Sequence, residues 1–225
     1  MEREYKPSVS RPGFTGIAFR LLDPGQCQAL ARLAAAAWNL AGPLPADLLG
    51  LRGSQARLPH HFDPNDLLPL FPAVSLDRDH RLDTLYWHDG RRVRALVYVR
   101  RRWGGPVFRK GEQYQLVLGT DGLPRLHHLY PARTPAGVMQ CLLLHEVLGT
   151  LHHAPDHGPG GRLLLDPGAG PGPGVPAPCV WLGERGAVVQ VPRWSRRHGL
   201  RELEYAVDFG GGCRLLSERP LGPEP

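Results

Sequence analysis

Two different periods of apolar residues organise the chain. Between Asp23 and Ala41 apolar positions recur every three or four residues. Leu30, Leu33, Ala34, Ala37, Trp38 and Ala41 thereby share one helical face. Asp23 as N-cap and Pro24 at the first helical position open this helix. Gly42-Pro43 stops it. From Leu82 the period shortens to two. LDTLYW, the turn His88-Asp89-Gly90, and RRVRALVYVRRR read as a β-hairpin. EQYQLVLG and PRLHHLY, joined around Thr120-Asp121-Gly122, read as a second hairpin. Thr134-Pro135 then caps AGVMQCLLLHEVLGTLHH, a helix apolar nearly all round, as expected of one buried against a sheet. CVWLG, AVVQV, RELEYAVDF and CRLLSE supply four more short strands.

The pattern predicts an α+β fold: an N-terminal helix, a four-stranded antiparallel meander, a buried helix, then a second β-rich segment. Residues 1–22 read as an N-terminal arm. Residues 23–154 hold the helix, the meander and the buried helix. Residues 155–178 read as a Gly/Pro-rich loop or linker. Residues 179–225 read as a β-rich segment packed on the same domain. Residues 43–76, rich in Pro and Leu, read as short turns with one brief helix near Ala46–Leu51, and HHFDPNDLLPLFP as irregular but partly buried packing.

Charge sharpens this picture. Lys+Arg 27 against Asp+Glu 21 gives a net +6. Only Lys6 and Lys110 are lysines, so nearly all the positive charge is arginine. A GC-rich coding sequence accounts for such a bias without function. Arginine is nonetheless planar, always charged, and suited to phosphates and to stacking on rings. Cys27, Cys141, Cys179 and Cys213 are scattered, which argues against a disulfide framework or a zinc ribbon. Reduced thiols fit a cytoplasmic location, or a nuclear one in a eukaryote. The opening MEREYKPSVSRPGFTG lacks the apolar core of a secretory signal. No apolar run approaches the ~20 residues that span a bilayer, so no membrane partner is expected.

The strongest functional lead is RRVRALVYVRRRW at 91–103, with six arginines. In a strand, Val93, Ala95, Val97 and Val99 face one way, toward the core. Arg92, Arg94, Leu96, Tyr98, Arg100 and Arg102 face the other. Same-face neighbours lie ~6.6 Å apart, a step comparable with that between phosphates of a stretched single strand. Arginines with interleaved aromatics are a recipe for binding single-stranded nucleic acid. Same-face acids look few: Asp83 and Glu112 near the ends, with Thr84, Tyr86, His88, Gln113 and Gln115 neutral. Trp103 follows the run, and Arg193, Trp194, Arg196 and Arg197 repeat the combination. The plainer reading is a solvated strand face that resists edge pairing; a third is a docking surface for an acidic protein.

The helix LLLHEVLGTLHHAPDHG invites comparison with the zinc-peptidase motif HExxH. His145 and Glu146 are present, but Gly149 stands where the second histidine belongs. A nonstandard metal site from His152, His153, Asp156 and His157 at the helix end would make the protein a metal-dependent hydrolase. The plainer reading is histidines interacting with a helix C-terminus. His145 and Glu146, inside an apolar helix, call for a buried polar partner. Asp77-Arg78-Asp79-His80 has a DxD spacing but reads as a polar loop entering the first hairpin. His127 and His128, adjacent in a strand, would point apart. Gly210–Gly212 precedes no helix and is no phosphate cradle. No cofactor or complete catalytic signature is present. The expectation is a non-enzymatic nucleic-acid-binding protein that favours single strands.

Overall fold

A computed structural model describes residues 18–41, 63–88, 93–102, 128–150, 162–166, 175–195 and 198–221. Helix α1 spans Pro24–Ala41. Its first turn is closed reciprocally. The Gln26 N–H donates to the Asp23 carboxylate at 2.8 Å, and the Asp23 N–H donates to the Gln26 side chain at 3.2 Å. This is a capping-box arrangement, with Gln in the place that Glu more often takes. Cys27, Leu30 and Ala37 form its buried stripe. The same Asp-Pro opening recurs at Asp63-Pro64, where Asp63 caps a short 3-10 helix over Pro64–Leu70. That helix buries Leu67 in a stretch the sequence suggested was irregular. The Asn65 amide then exchanges two hydrogen bonds with the Leu82 backbone, at 2.8 and 2.9 Å. A side chain thus substitutes for a ladder rung and fixes where the first hairpin starts.

The four-stranded meander is present only in part. β1 covers Ala18–Leu21, β2 Val74–Leu76, β3 His80–His88, β4 Val93–Arg101 and β5 Leu129–Pro131. β3 and β4 pair as an antiparallel two-stranded sheet. β5, the end of the expected fourth strand, pairs instead with β2. The chain enters β5 through His128, whose φ of 74° places it in the left-handed region. From there Leu129 and Pro131 enter the core, and the Ala132 N–H donates to the Ala73 carbonyl. The remainder of the expected second hairpin and the brief helix expected near Ala46–Leu51 lie outside the described residues.

Helix α2, Pro135–Thr150, is the hub. Thr134 caps it through its hydroxyl, which accepts from the Gly137 N–H at 3.0 Å. Met139, Cys141, Leu142, Leu144, Val147 and Leu148 are all fully buried. Those positions go round the helix, because α1 covers one side and strands cover the others. The all-round apolar pattern expected a buried helix, and the structure has one. At Gly137 a Cβ would lie 2.4 Å from the Ala132 carbonyl oxygen. Gly137→Ala is therefore expected to cost ~1–3 kcal/mol, read from urea-melt midpoints. An unchanged midpoint would contradict this close approach.

The main sheet collects the C-terminal strands. β6 covers Arg162–Leu163, β7 Cys179–Leu182, β8 Gly186–Ser195, β9 Gly199–Asp208 and β10 Cys213–Pro220. Their order is β1-β7-β8-β9-β10, with β6 also on β8 and all pairs antiparallel. Two segments expected to be irregular thus contribute strands: the end of the N-terminal arm and part of the Gly/Pro-rich stretch. Val189, Val191, Leu203 and Val207 bury one face of this sheet toward α2. A bulge between Leu215 and Ser217 interrupts the β10 ladder. Beyond it lie exposed Glu218, Arg219 and Pro220. The architecture is α+β, with two small sheets and one large one arranged around α2. No helix among the described residues is long and apolar enough to cross a membrane.

Candidate nucleic-acid interface

Alternation along β4 puts Val97 and Val99 on the core side, Val97 fully buried, and Val99 faces buried Leu82 of β3. Arg94, Tyr98 and Arg100 occupy the opposite register. Their partners across the ladder differ from the neutral set the sequence suggested. Arg94 pairs with Trp87, Leu96 with Leu85, Tyr98 with Asp83 and Arg100 with Arg81. Thr84 and Tyr86 lie opposite Val97 and Ala95, in the core register. Even positions of β4 meet odd positions of β3, so Asp83 stays on the arginine face while Thr84, Tyr86 and His88 leave it. The change has two consequences. Arg81 and Trp87 join the arginine register, and Asp83 stands at its middle rather than near its end. Asp83 also lies 3.5 Å from the Arg81 guanidinium.

Arg102 extends past the ladder and is exposed. Its Nε donates to the His80 carbonyl at 3.0 Å, and its N–H donates to the Asp79 carbonyl at 2.7 Å. It therefore anchors the base of the hairpin while leaving the rest of its guanidinium outward. Arg92 and Trp103 lie outside the described residues.

The second basic cluster has a different role from the one expected. Arg193 leaves β8 toward α2 and pairs with the Glu146 carboxylate. The Tyr205 hydroxyl donates to the other Glu146 oxygen at 2.6 Å. Burial acts against the Arg193 charge, but Glu146 outweighs it and raises the guanidinium pKa further. Burial first, and the Glu146 charge second, push the Tyr205 phenol upward. Glu146 thus has the buried partner its position in an apolar helix demanded, and Arg193 is engaged in structure. Glu146 also borders a shallow recess of about 250 Å³ between α1 and α2, lined by Ala34, Trp38, Leu143 and Leu165. Its carboxylate is already committed on both oxygens. Trp194 is half-buried in β8, opposite Leu200. Arg196 and Arg197 lie outside the described residues, as do His152, His153, Asp156 and His157, which follow α2 in the sequence.

One cluster was not foreseen as a unit. At the foot of the hairpin, His80 and His128 stack with ring centroids 4.0 Å apart and planes 17° apart. Asp77 lies beneath both. Its Oδ2 is 3.0 Å from His128 Nδ1 and 3.8 Å from His80 Nδ1. The Tyr130 hydroxyl donates to the same oxygen at 3.1 Å. Burial, then the hydrogen bond and charge of Asp77, raise the Tyr130 phenol. The DxD-His spacing contained part of this signal. The other half, His128-Leu129-Tyr130, reaches it only because β5 pairs with β2.

Compared with known proteins, the chain matches no family model, no curated protein and no solved structure.

Proposed function

We propose that the outer register of the β3–β4 hairpin is a binding track for single-stranded nucleic acid. The observation that supports this reading is the ladder itself. Arg81, Arg94 and Arg100 share one register with Trp87 and Tyr98, and the opposite register carries buried Leu82 and Val97. From Arg94 to Arg100 the track runs ~20 Å along the strand, a length suited to a few nucleotides. Guanidinium groups contact phosphates, and the aromatic positions offer rings for bases to stack on. Asp83, central in the same register, opposes the attraction and limits affinity. The protein on this reading is a binding module rather than an enzyme.

Fluorescence anisotropy with short single- and double-stranded oligonucleotides across a salt series tests the proposal. About four phosphate contacts give a log–log salt slope of roughly −3 for single strands, at ~−0.7 per contact. Changing Arg94, Tyr98 and Arg100 together to Ala is expected to weaken binding more than tenfold and to lower the slope by ~1.4, the share of two phosphates. Asp83→Asn is expected to tighten it. A flat salt response, or full binding by the folded triple variant, would remove the hairpin from consideration. Co-purification of an acidic protein without any oligonucleotide signal would favour the protein-docking alternative.

A further inference from the structure

We propose that Asp77, His80, His128 and Tyr130 form a site for one divalent transition-metal ion of the zinc class. The inference is independent of the hairpin reading, since it uses other side chains and another ligand.

The donor set comes from three places in the chain. Asp77 lies in the turn after β2, His80 opens β3, and His128 and Tyr130 flank Leu129 at β5. The β2–β5 ladder, Leu76 against Leu129, brings the turn and the second histidine together across 51 residues of sequence. One ligand atom from each of Asp77, His80 and His128 lies within 4.8 Å of the other two. Donors around a tetrahedral zinc, at ~2.0–2.1 Å from the ion, are ~3.3 Å apart. The separations from Asp77 Oδ2, 3.0 Å to His128 Nδ1 and 3.8 Å to His80 Nδ1, bracket that value. The Tyr130 hydroxyl completes a fourth corner, 3.1 Å from Asp77 Oδ2 and 3.3 Å from His128 Nδ1.

The near-parallel stack of the two imidazoles must open for both nitrogens to face one ion, and the half-exposed His128 ring is the one with room to turn. Asp79 Oδ1 lies 2.8 Å from the same His80 Nδ1, so that nitrogen exchanges this hydrogen bond for the ion and Asp79 stands beside the site as a further carboxylate. His80 is buried, whereas Asp77 and His128 keep 42% and 41% of their side chains accessible, which leaves an entry path. His128 holds its position at the expense of a left-handed backbone. Two imidazoles with a carboxylate and a phenol suit zinc, cobalt or nickel. The all-oxygen shells of calcium and magnesium do not match this set.

The test uses the full chain without a histidine tag, stripped with chelator, and titrated with Co²⁺ as the probe. The expected result is uptake of one Co²⁺ per chain with visible ligand-field bands, displaced by Zn²⁺, and a higher melting temperature in either metal. Asp77→Asn keeps size, and in His128→Asn the smaller Asn tolerates the left-handed backbone. Each is expected to weaken Co²⁺ binding by more than about tenfold while leaving the far-UV spectrum intact. Changing His152, His153 and His157 together to Ala is expected to leave the bands in place. No Co²⁺ uptake by the parent chain would overturn the proposal. So would binding unchanged in both Asn variants, or binding lost with the three distal histidines.

Discussion

Glu146→Ala is expected to destabilise the protein by ~3 kcal/mol or more. The carboxylate lies in the middle of the most buried helix and is shared by Arg193 from β8 and Tyr205 from β9. Removing it deprives a largely buried guanidinium of its ion-pair partner and a buried hydroxyl of its acceptor. A broken buried ion pair typically costs ~3–5 kcal/mol, and a stranded hydroxyl adds ~1–3 kcal/mol. Some relief comes because Arg193 keeps about a quarter of its side chain in water. Chemical denaturation at neutral pH gives the number. Two further variants separate the causes. Tyr205→Phe is expected to cost only ~1 kcal/mol, the net worth of one hydrogen bond. Replacing Glu146 and Arg193 together by Met is expected to recover most of the loss, since no charge is then stranded. A cost below ~1 kcal/mol for Glu146→Ala would show that water reaches the pair freely, as at an exposed ion pair.

The second large effect is alkaline. Burial pushes the Cys141 thiol up to about 12, and the Tyr205 phenol is also raised, by burial and by Glu146. Both groups hold their protons more tightly folded than unfolded. Their contribution to stability is therefore complete below the unfolded values and disappears as pH rises toward the folded ones. The unfolded chain begins to lose the Cys141 proton near pH 9, while the folded chain keeps it. Stability then falls by ~1.4 kcal/mol per pH unit for that one thiol. Between pH 9 and 11 this amounts to roughly 3 kcal/mol, with Tyr205 steepening the loss above pH 10. Urea melts between pH 7 and 11, in reductant to keep the thiols free, measure the slope. Cys141→Ala is expected to start less stable and to lose stability more gently above pH 9. A midpoint that is flat from pH 8 to 11 would contradict the burial of both groups.

Local chemistry in the sequence specified much of this fold. Asp23-Pro24 and Thr134-Pro135 marked both long helices, because capping is decided within one turn. The period-two runs marked β3, β4 and the four C-terminal strands. The Asp63-Pro64 helix went unread although it carries the same opening as α1, since Pro69 inside a Leu-rich run resembles loop composition. The pairing partners were less legible. A one-residue change in where a ladder closes keeps Asp83 in the arginine register, nearer its middle, and takes Thr84 out of it. Alternation within β4 fixes which of its residues share a face, but not which residues of β3 oppose them. Glu146 plainly needed a partner, yet Arg193 and Tyr205 lie 47 and 59 residues away, beyond any spacing rule. The Asp77–His80–His128–Tyr130 cluster has the same origin. His127-His128 looked like two side chains pointing apart in a strand, and the left-handed turn at His128 replaces that strand geometry.

The bulge and the charged run in β10 bear on how the molecule behaves in company. An uncovered sheet border can recruit a neighbour's backbone and begin a fibre. Here the last rungs carry Glu218, Arg219 and Pro220, and the ladder has already slipped by one residue before them. Proline offers no N–H to an incoming strand, and covering the exposed charges would oppose close approach. Concentrated solutions should accordingly resist growth from this side, and a Pro220→Val, Arg219→Val double change would take away that self-protection.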